Sequence, residues 1–136
     1  MHSRHDELSG GTDWVIDYMH GRQQVVQRFD ELSSQGIGLS YISLAETYDG
    51  MLDAPDRLEA EQGLQSFLDE IEEILPISDP ICRVFASERR RLRASGNRLE
   101  DFDLLIGSTA IHHGLTLLTN NRRHFQRMTG LNIISA

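Results

Sequence analysis

Residues 101–119, DFDLLIGSTAIHHGLTLLT, constrain the fold of this chain more than any other stretch. Two acids, Asp101 and Asp103, open a segment whose body is apolar and small: Leu104, Leu105, Ile106, Gly107, Ala110 and Ile111. Carboxylates in a first turn sit at the positive end of the helix dipole, so the segment reads as a helix entered through its acids. Gly107, Ser108 and Ala110 predict that this helix packs close to a neighbour. After Gly114 the run LTLLT (115–119) is short and apolar enough to be a buried strand. A helix leading straight into a core strand belongs to α/β architecture. Asp103 then has two readings: it caps a core helix, or it points into a metal pocket at the sheet edge.

The rest of the chain continues the alternation. Residues 1–10 are polar and read as an N-terminal tail. Thr12 or Asp13 caps a helix over 14–20 that stops at Gly21. A second amphipathic helix covers 24–34, with Val25, Val26, Phe29 and Leu32 on one face and Gly36 as its stop. Residues 37–42 form a strand, and Ser43 starts a helix that ends before Pro55. A longer helix runs over 57–75 with Leu58, Leu64, Phe67, Leu68, Ile71 and Leu75 at helical spacing, while Asp69, Glu70, Glu72 and Glu73 make a solvated face. A strand or extended link follows at 74–78. Asp79 and Pro80 then cap and open a helix that ends at Gly96. A turn or short helix over 121–128 leads to a last strand at 131–135. Parallel strands need crossovers of this kind, so residues 11–136 are predicted to form a single α/β domain with a mostly parallel sheet. Ligands of such sheets lie beyond the carboxyl ends of the strands.

Composition narrows the possible functions. A chain of 136 residues, 39% hydrophobic and 25% charged, builds a core without staples. Its one cysteine, Cys82, excludes an internal disulfide and is expected to be a small buried or half-buried filler. No apolar run approaches the length of a membrane helix, and the first residues carry no apolar leader segment, so a cytoplasmic protein without membrane contact is expected. The net charge of −8 argues against a broad basic surface for nucleic acid. It leaves room for a nuclease whose acidic pocket meets phosphate through metal ions. All thirteen basic residues are arginine. Arginine suits bidentate phosphate contacts, although codon bias accounts for the absence of lysine equally well. Arg89, Arg90, Arg91 and Arg93 read more readily as a solvated helix face than as an RNA patch.

Three acids follow, or nearly follow, strand-like runs: Asp13, Glu46 and Asp103. Hard divalent cations take carboxylate oxygens and complete their shell with water. Such an ion lowers the pKa of bound water and stabilises charge on a phosphoryl group. Each acid also has a local alternative. Ser43-x-x-Glu46 has the spacing of a capping box, and Asp13 is placed to cap its own helix. Asp17 and Asp49 read as surface acids. His112 and His113 are adjacent on a helix, so they do not share a face for a metal.

The segments TDWVIDYMHG, ISLAETYDGM, DFDLLIGSTAIHHGLTLLTNNRRHF and GLNIIS resemble the PIN-domain superfamily, in particular the VapC-type toxins of bacterial toxin–antitoxin pairs. The resemblance runs from about Gly11 to the end, in the right order. It implies a PIN-like α/β/α sandwich with a mostly parallel central sheet and a Mg²⁺- or Mn²⁺-dependent endoribonuclease. It also implies a pocket of three or four acids, a homodimer, and a cognate antitoxin that occludes the pocket. Glu46 matches the second acid of the pattern and Asp103 the third. The fourth falls at Asn121, which carries no charge but can still accept a hydrogen bond or hold a water. The first acid departs from the pattern: ELSGGTDWVID places Gly11 where the aspartate belongs, and the apolar strand before it is reduced to Leu8.

Asp13 then becomes the substitute third ligand beside Glu46 and Asp103. Thr12, Thr119 and Asn121 form an outer shell, with the two threonines orienting waters, and Arg122 and Arg123 contact RNA phosphates. The expected function is RNA cleavage by metal-activated water, impaired at Gly11. The alternative is a PIN-like module that binds an antitoxin or RNA without cutting. A phosphatase-like α/β enzyme ranks behind both, since no nucleophile motif is present.

Overall fold

The computed structural model describes residues 7–136. Its strands are β1 (Leu8–Gly10), β2 (Ile37–Ser40), β3 (Glu73–Leu75), β4 (Thr116–Leu118) and β5 (Ile133–Ile134). All pairings are parallel, in the order β3-β2-β1-β4-β5. The helices are α1 (Thr12–Met19), α2 (Gln23–Leu32), α3 (Tyr41–Met51), α4 (Arg57–Asp69), α5 (Asp79–Ala94), α6 (Asp101–His113) and the short α7 (Arg122–Phe125).

The first departure from expectation is at the N-terminus. Residues 8–10, read as the end of a polar tail, are the central strand of the sheet. Leu8 registers with Ile37 on one side and Thr116 on the other, and both Leu8 and Ser9 are buried. A three-residue strand with one apolar side chain has no alternation to recognise. It is a strand because neighbours on both sides satisfy its backbone. The remainder of the expected tail, residues 1–6, lies outside the described residues.

Successive residues of a strand face opposite sides, and the sheet uses both. Leu118 joins Leu8, Leu39, Trp14, Phe29 and Phe67 in a core under α1, α2 and α4. Leu117, its neighbour, joins Leu92, Leu104, Ile106 and Phe125 under α5, α6 and α7. The result is the expected α/β/α sandwich. In the first core Phe29 and Phe67 stack at 4.4 Å, with Tyr18 edge-on to both. The Tyr18 hydroxyl donates to Glu70 Oε2 (3.0 Å). Burial, helped by Glu70, pushes the Tyr18 hydroxyl up to about 12, so Glu70 is more than part of a solvated face. In the second core a Cβ on Gly107 would collide with the Met128 sulfur, which is why α6 carries a small residue there.

Helix starts differ from the sequence reading in a consistent way. Ser40, not Ser43, caps α3, accepting from the Ser43 amide (3.0 Å). Ser78, not Asp79, caps α5, and Asp79 instead pairs with Arg83 (2.8 Å). The residue before α1 is Gly11, which offers no side-chain cap. In all three the residue immediately before the helix is extended, and that residue holds the cap position. The helix expected over 57–75 ends at Asp69, and β3 begins at Glu73. Cys82 is exposed on α5 rather than buried.

One buried acid ties α5 to the loop before β5. Glu88 accepts from Arg91 Nε and Nη2 (both 2.9 Å) and from the Thr129 amide (2.7 Å). The Arg91 bonds, with the Thr129 amide, hold its carboxyl below the ordinary 4.5. A carboxylate depressed in the folded state stabilises fully above its unfolded pKa, and that share is lost as pH falls through the depressed value. Glu88→Gln is therefore expected to lower stability by about 2 kcal/mol at neutral pH. The deficit should close in acid below pH 4.5. Denaturant titrations of both proteins across this range check it, and a deficit independent of pH would contradict it.

Candidate active site

The strand order reverses between β1 and β4: β2 and β3 extend to one side of β1, β4 and β5 to the other. A crevice opens past the carboxyl ends of strands at such a switch point. Here it is a depression of about 250 Å³ lined by Thr12, Asp13, Glu46, Asp103 and Asn121 together with Ile16, Ile106 and Phe125. Three separate segments thus deliver the three acids singled out in the sequence to one place.

Their states differ. Glu46, on α3, accepts from the Thr12 hydroxyl at Oε1 (2.8 Å), so it is not the reciprocal member of a capping box. Burial raises its pKa, the Thr12 bond opposes this, and the nearby Asp103 charge raises it further. Asp103, third in α6, keeps 28% of its side chain exposed and accepts at Oδ2 from His124 Nε2–H (2.8 Å). Asp13 has both oxygens engaged: Oδ1 accepts from the Thr119 hydroxyl (2.7 Å) and Oδ2 from the Asn120 amide (2.8 Å). Burial pushes its pKa up, against those two bonds. Thr119 is fully buried and also accepts from the Asn121 amide (3.0 Å). Both threonines expected to orient waters donate their hydroxyl protons to carboxylates.

The PIN domain model matches residues 14–131 of this sequence. The chain belongs to the PIN-domain family. It is similar to Ribonuclease VapC1 of Methanocaldococcus jannaschii, 33% identical over 117 residues that cover 86% of this chain and 77% of that protein. It is also similar to Ribonuclease VapC2 of Rickettsia felis, 33% identical over 95 residues, 70% of each chain. Among solved structures, VapBC2 from Rickettsia felis bound to a DNA fragment from their promoter has a TM-score of 0.85 at 26% identity, over 95% of this chain and 98% of that one.

In this PIN domain the space beside Gly11 is closed to a side chain. Gly11 has φ −79° and ψ 155°, extended backbone open to any residue. A Cβ there, however, would lie 2.7 Å from the Leu118 carbonyl and 3.1 Å from Asp13 Oδ1. The Gly11 amide donates to that same carbonyl (2.9 Å), so the chain after β1 lies close against the end of β4 at this point. Among the described residues, no group of three or more His, Cys, Asp or Glu is placed to hold a metal ion. The donors with oxygens to spare are the pair Glu46 and Asp103. Mg²⁺ is commonly held by one or two carboxylates with water and substrate phosphate. The pair suits such a water-rich site, and it falls short of the three or four acids that the family pattern implies.

His124 is the site residue missed from the sequence. It stood in view within TNNRRHF, three residues after Asn121, on the helix that follows β4. That placement at the carboxyl end of a central strand was the available signal. Arg122 Nη2 donates to the Ile133 carbonyl (2.9 Å) and so fastens β5, while Arg123 is exposed on α7.

Proposed function

We propose that this PIN domain is a VapC-type toxin ribonuclease, with Glu46 and Asp103 holding the Mg²⁺ or Mn²⁺ ion used to cleave RNA phosphodiesters. The observation that carries this is the meeting of the two acids past the switch point, in a chain similar to VapC ribonucleases over most of its length. A bound divalent ion supplies Lewis-acid stabilisation of phosphoryl charge and a more acidic water. The protein supplies orientation. The Thr12 hydroxyl holds one oxygen of Glu46 and His124 holds one oxygen of Asp103, so each acid is pinned and keeps a second oxygen for the ion. Asp13 fastens the Thr119–Asn120 turn that presents Asn121, and it serves as a third ligand only by giving up those bonds.

An antitoxin is the proposed protein partner, and its natural target is the surface beside Glu46 where Phe102 stands 55% exposed. Exposed Tyr41 and Tyr48 on α3, with Leu52 just after it, are the proposed homodimer face. No described helix is long and apolar enough to cross a membrane, and the proposed place of action is the cytoplasm.

A second reading, a PIN module that binds without cutting, is favoured by Gly11 and by the reduction of the acids to a pair. Incubation of the purified protein with RNA in Mn²⁺, with and without EDTA, separates the two. Cleavage that stops with EDTA is expected. Cleavage that survives EDTA removes the metal mechanism, and retained RNA or antitoxin binding with no cleavage makes the protein a binding module.

A further inference from the structure

We propose that the arginine-lined cavity between α5 and the start of α6 seats an RNA phosphate next to the one being cleaved. This rests on the RNA reading above. The cavity, about 550 Å³, is larger than the carboxylate depression and within the range of ligand sites. Arg89, Arg93 and Arg98 reach into it, against Glu100 and Asp101. Asp101 is already engaged by Arg89 (2.9 Å). Arg93 and Arg98 form no ion pair with another described residue, and both are exposed. The Arg98 backbone is anchored, its carbonyl accepting from Arg127 Nη1 (3.3 Å). Arg90 adjoins Arg89 and Arg93 in the next depression and extends the basic surface.

A chain with net charge −8 has thus gathered positive charge at one place. The residue that joins this place to the carboxylates is His124. It lines the arginine cavity, and its ring bonds Asp103, which lines the carboxylate depression. Two residues of α6, Asp101 and Asp103, divide the two sites. A single strand with one phosphate at the ion that Glu46 and Asp103 would hold passes His124 and meets the two unpaired guanidinium forks. Guanidinium forks match phosphate geometry bidentately, and they offset the repulsion that an acidic surface imposes on RNA. An acidic protein segment would use the same forks. The adjacency to the carboxylate pair favours RNA, since such a segment has no reason to lie beside two acids.

The test is binding of a fluorescent single-stranded RNA in EDTA, which keeps the measurement independent of metal and of cleavage. Arg93→Gln/Arg98→Gln is compared with Arg28→Gln/Arg57→Gln, which removes equal charge elsewhere. The first pair is expected to weaken RNA binding about tenfold and to reduce the dependence of log K on log salt by about one, with little change in the control. Each single variant gives a share of the loss, so the outcome does not hang on the double variant folding. Equal effects of the two pairs overturn the proposal while leaving RNA binding itself intact. An unaltered protein with no RNA affinity even at low salt overturns the RNA reading along with it. Loss of a glutamate-rich peptide with RNA affinity unchanged reassigns the cavity to an acidic protein segment and overturns the proposal.

Discussion

Asp103→Asn is expected to lower RNA cleavage about a hundredfold or more and to leave the fold in place. The substitution is nearly isosteric, and the amide oxygen still accepts from His124 Nε2–H, so the local hydrogen bond survives. What disappears is the negative charge, and with it half of the pair that fits a divalent ion. A hundredfold loss corresponds to about 2.7 kcal/mol of barrier. The stability effect is far smaller, because a charge in the first turn of a helix contributes only about 0.3–1 kcal/mol. Single-turnover cleavage of a labelled RNA and a thermal melt read the two effects separately. A large drop in melting temperature with proportionate activity loss would mean that Asp103 serves α6 rather than the reaction. Unchanged cleavage would remove it from the site.

Gly11→Asp is expected to raise Mn²⁺ affinity about tenfold and to speed cleavage by about ten- to a hundredfold, while lowering stability by about 1–3 kcal/mol. The two effects have separate causes. Backbone torsion is not one of them, since Gly11 already has an extended conformation open to aspartate. The strain comes from the Leu118 carbonyl, 2.7 Å from the new Cβ, and this contact is with backbone, so the ends of β1 and β4 must part by a few tenths of an ångström. The gain comes from a third carboxylate where the family pattern has one. Gly11→Ala carries the strain without the charge, so the difference between the two variants isolates the ligand. The new acid also approaches Asp13 Oδ1, so Asp13→Asn in the same chain relieves a like-charge contact and should enlarge the gain. Equal Mn²⁺ affinity in Gly11→Asp and Gly11→Ala would show that the first-acid site lies elsewhere.

The neighbourhood of Gly11 also separates what local sequence decides from what it does not. Helix α6 was legible in its parts: acids at its start and a small residue, Gly107, where Met128 packs. The strand after it and the strand–helix alternation were legible for the same reason. Each depends on interactions within a few residues, and those determine the α/β class and the candidate acids. Strand β1 was not legible, because three residues with one apolar side chain become a strand only between two others. The partners of the acids were not legible either. Thr12 reaches Glu46 across 34 positions and Asp13 reaches Thr119 across 106. Spacing alone left Glu46 between a capping box and a metal site, and Asp13 between a helix cap and a ligand. The sheet order set β4 beside β1, and that register engaged both oxygens of Asp13, put His124 on Asp103, and closed the space at Gly11.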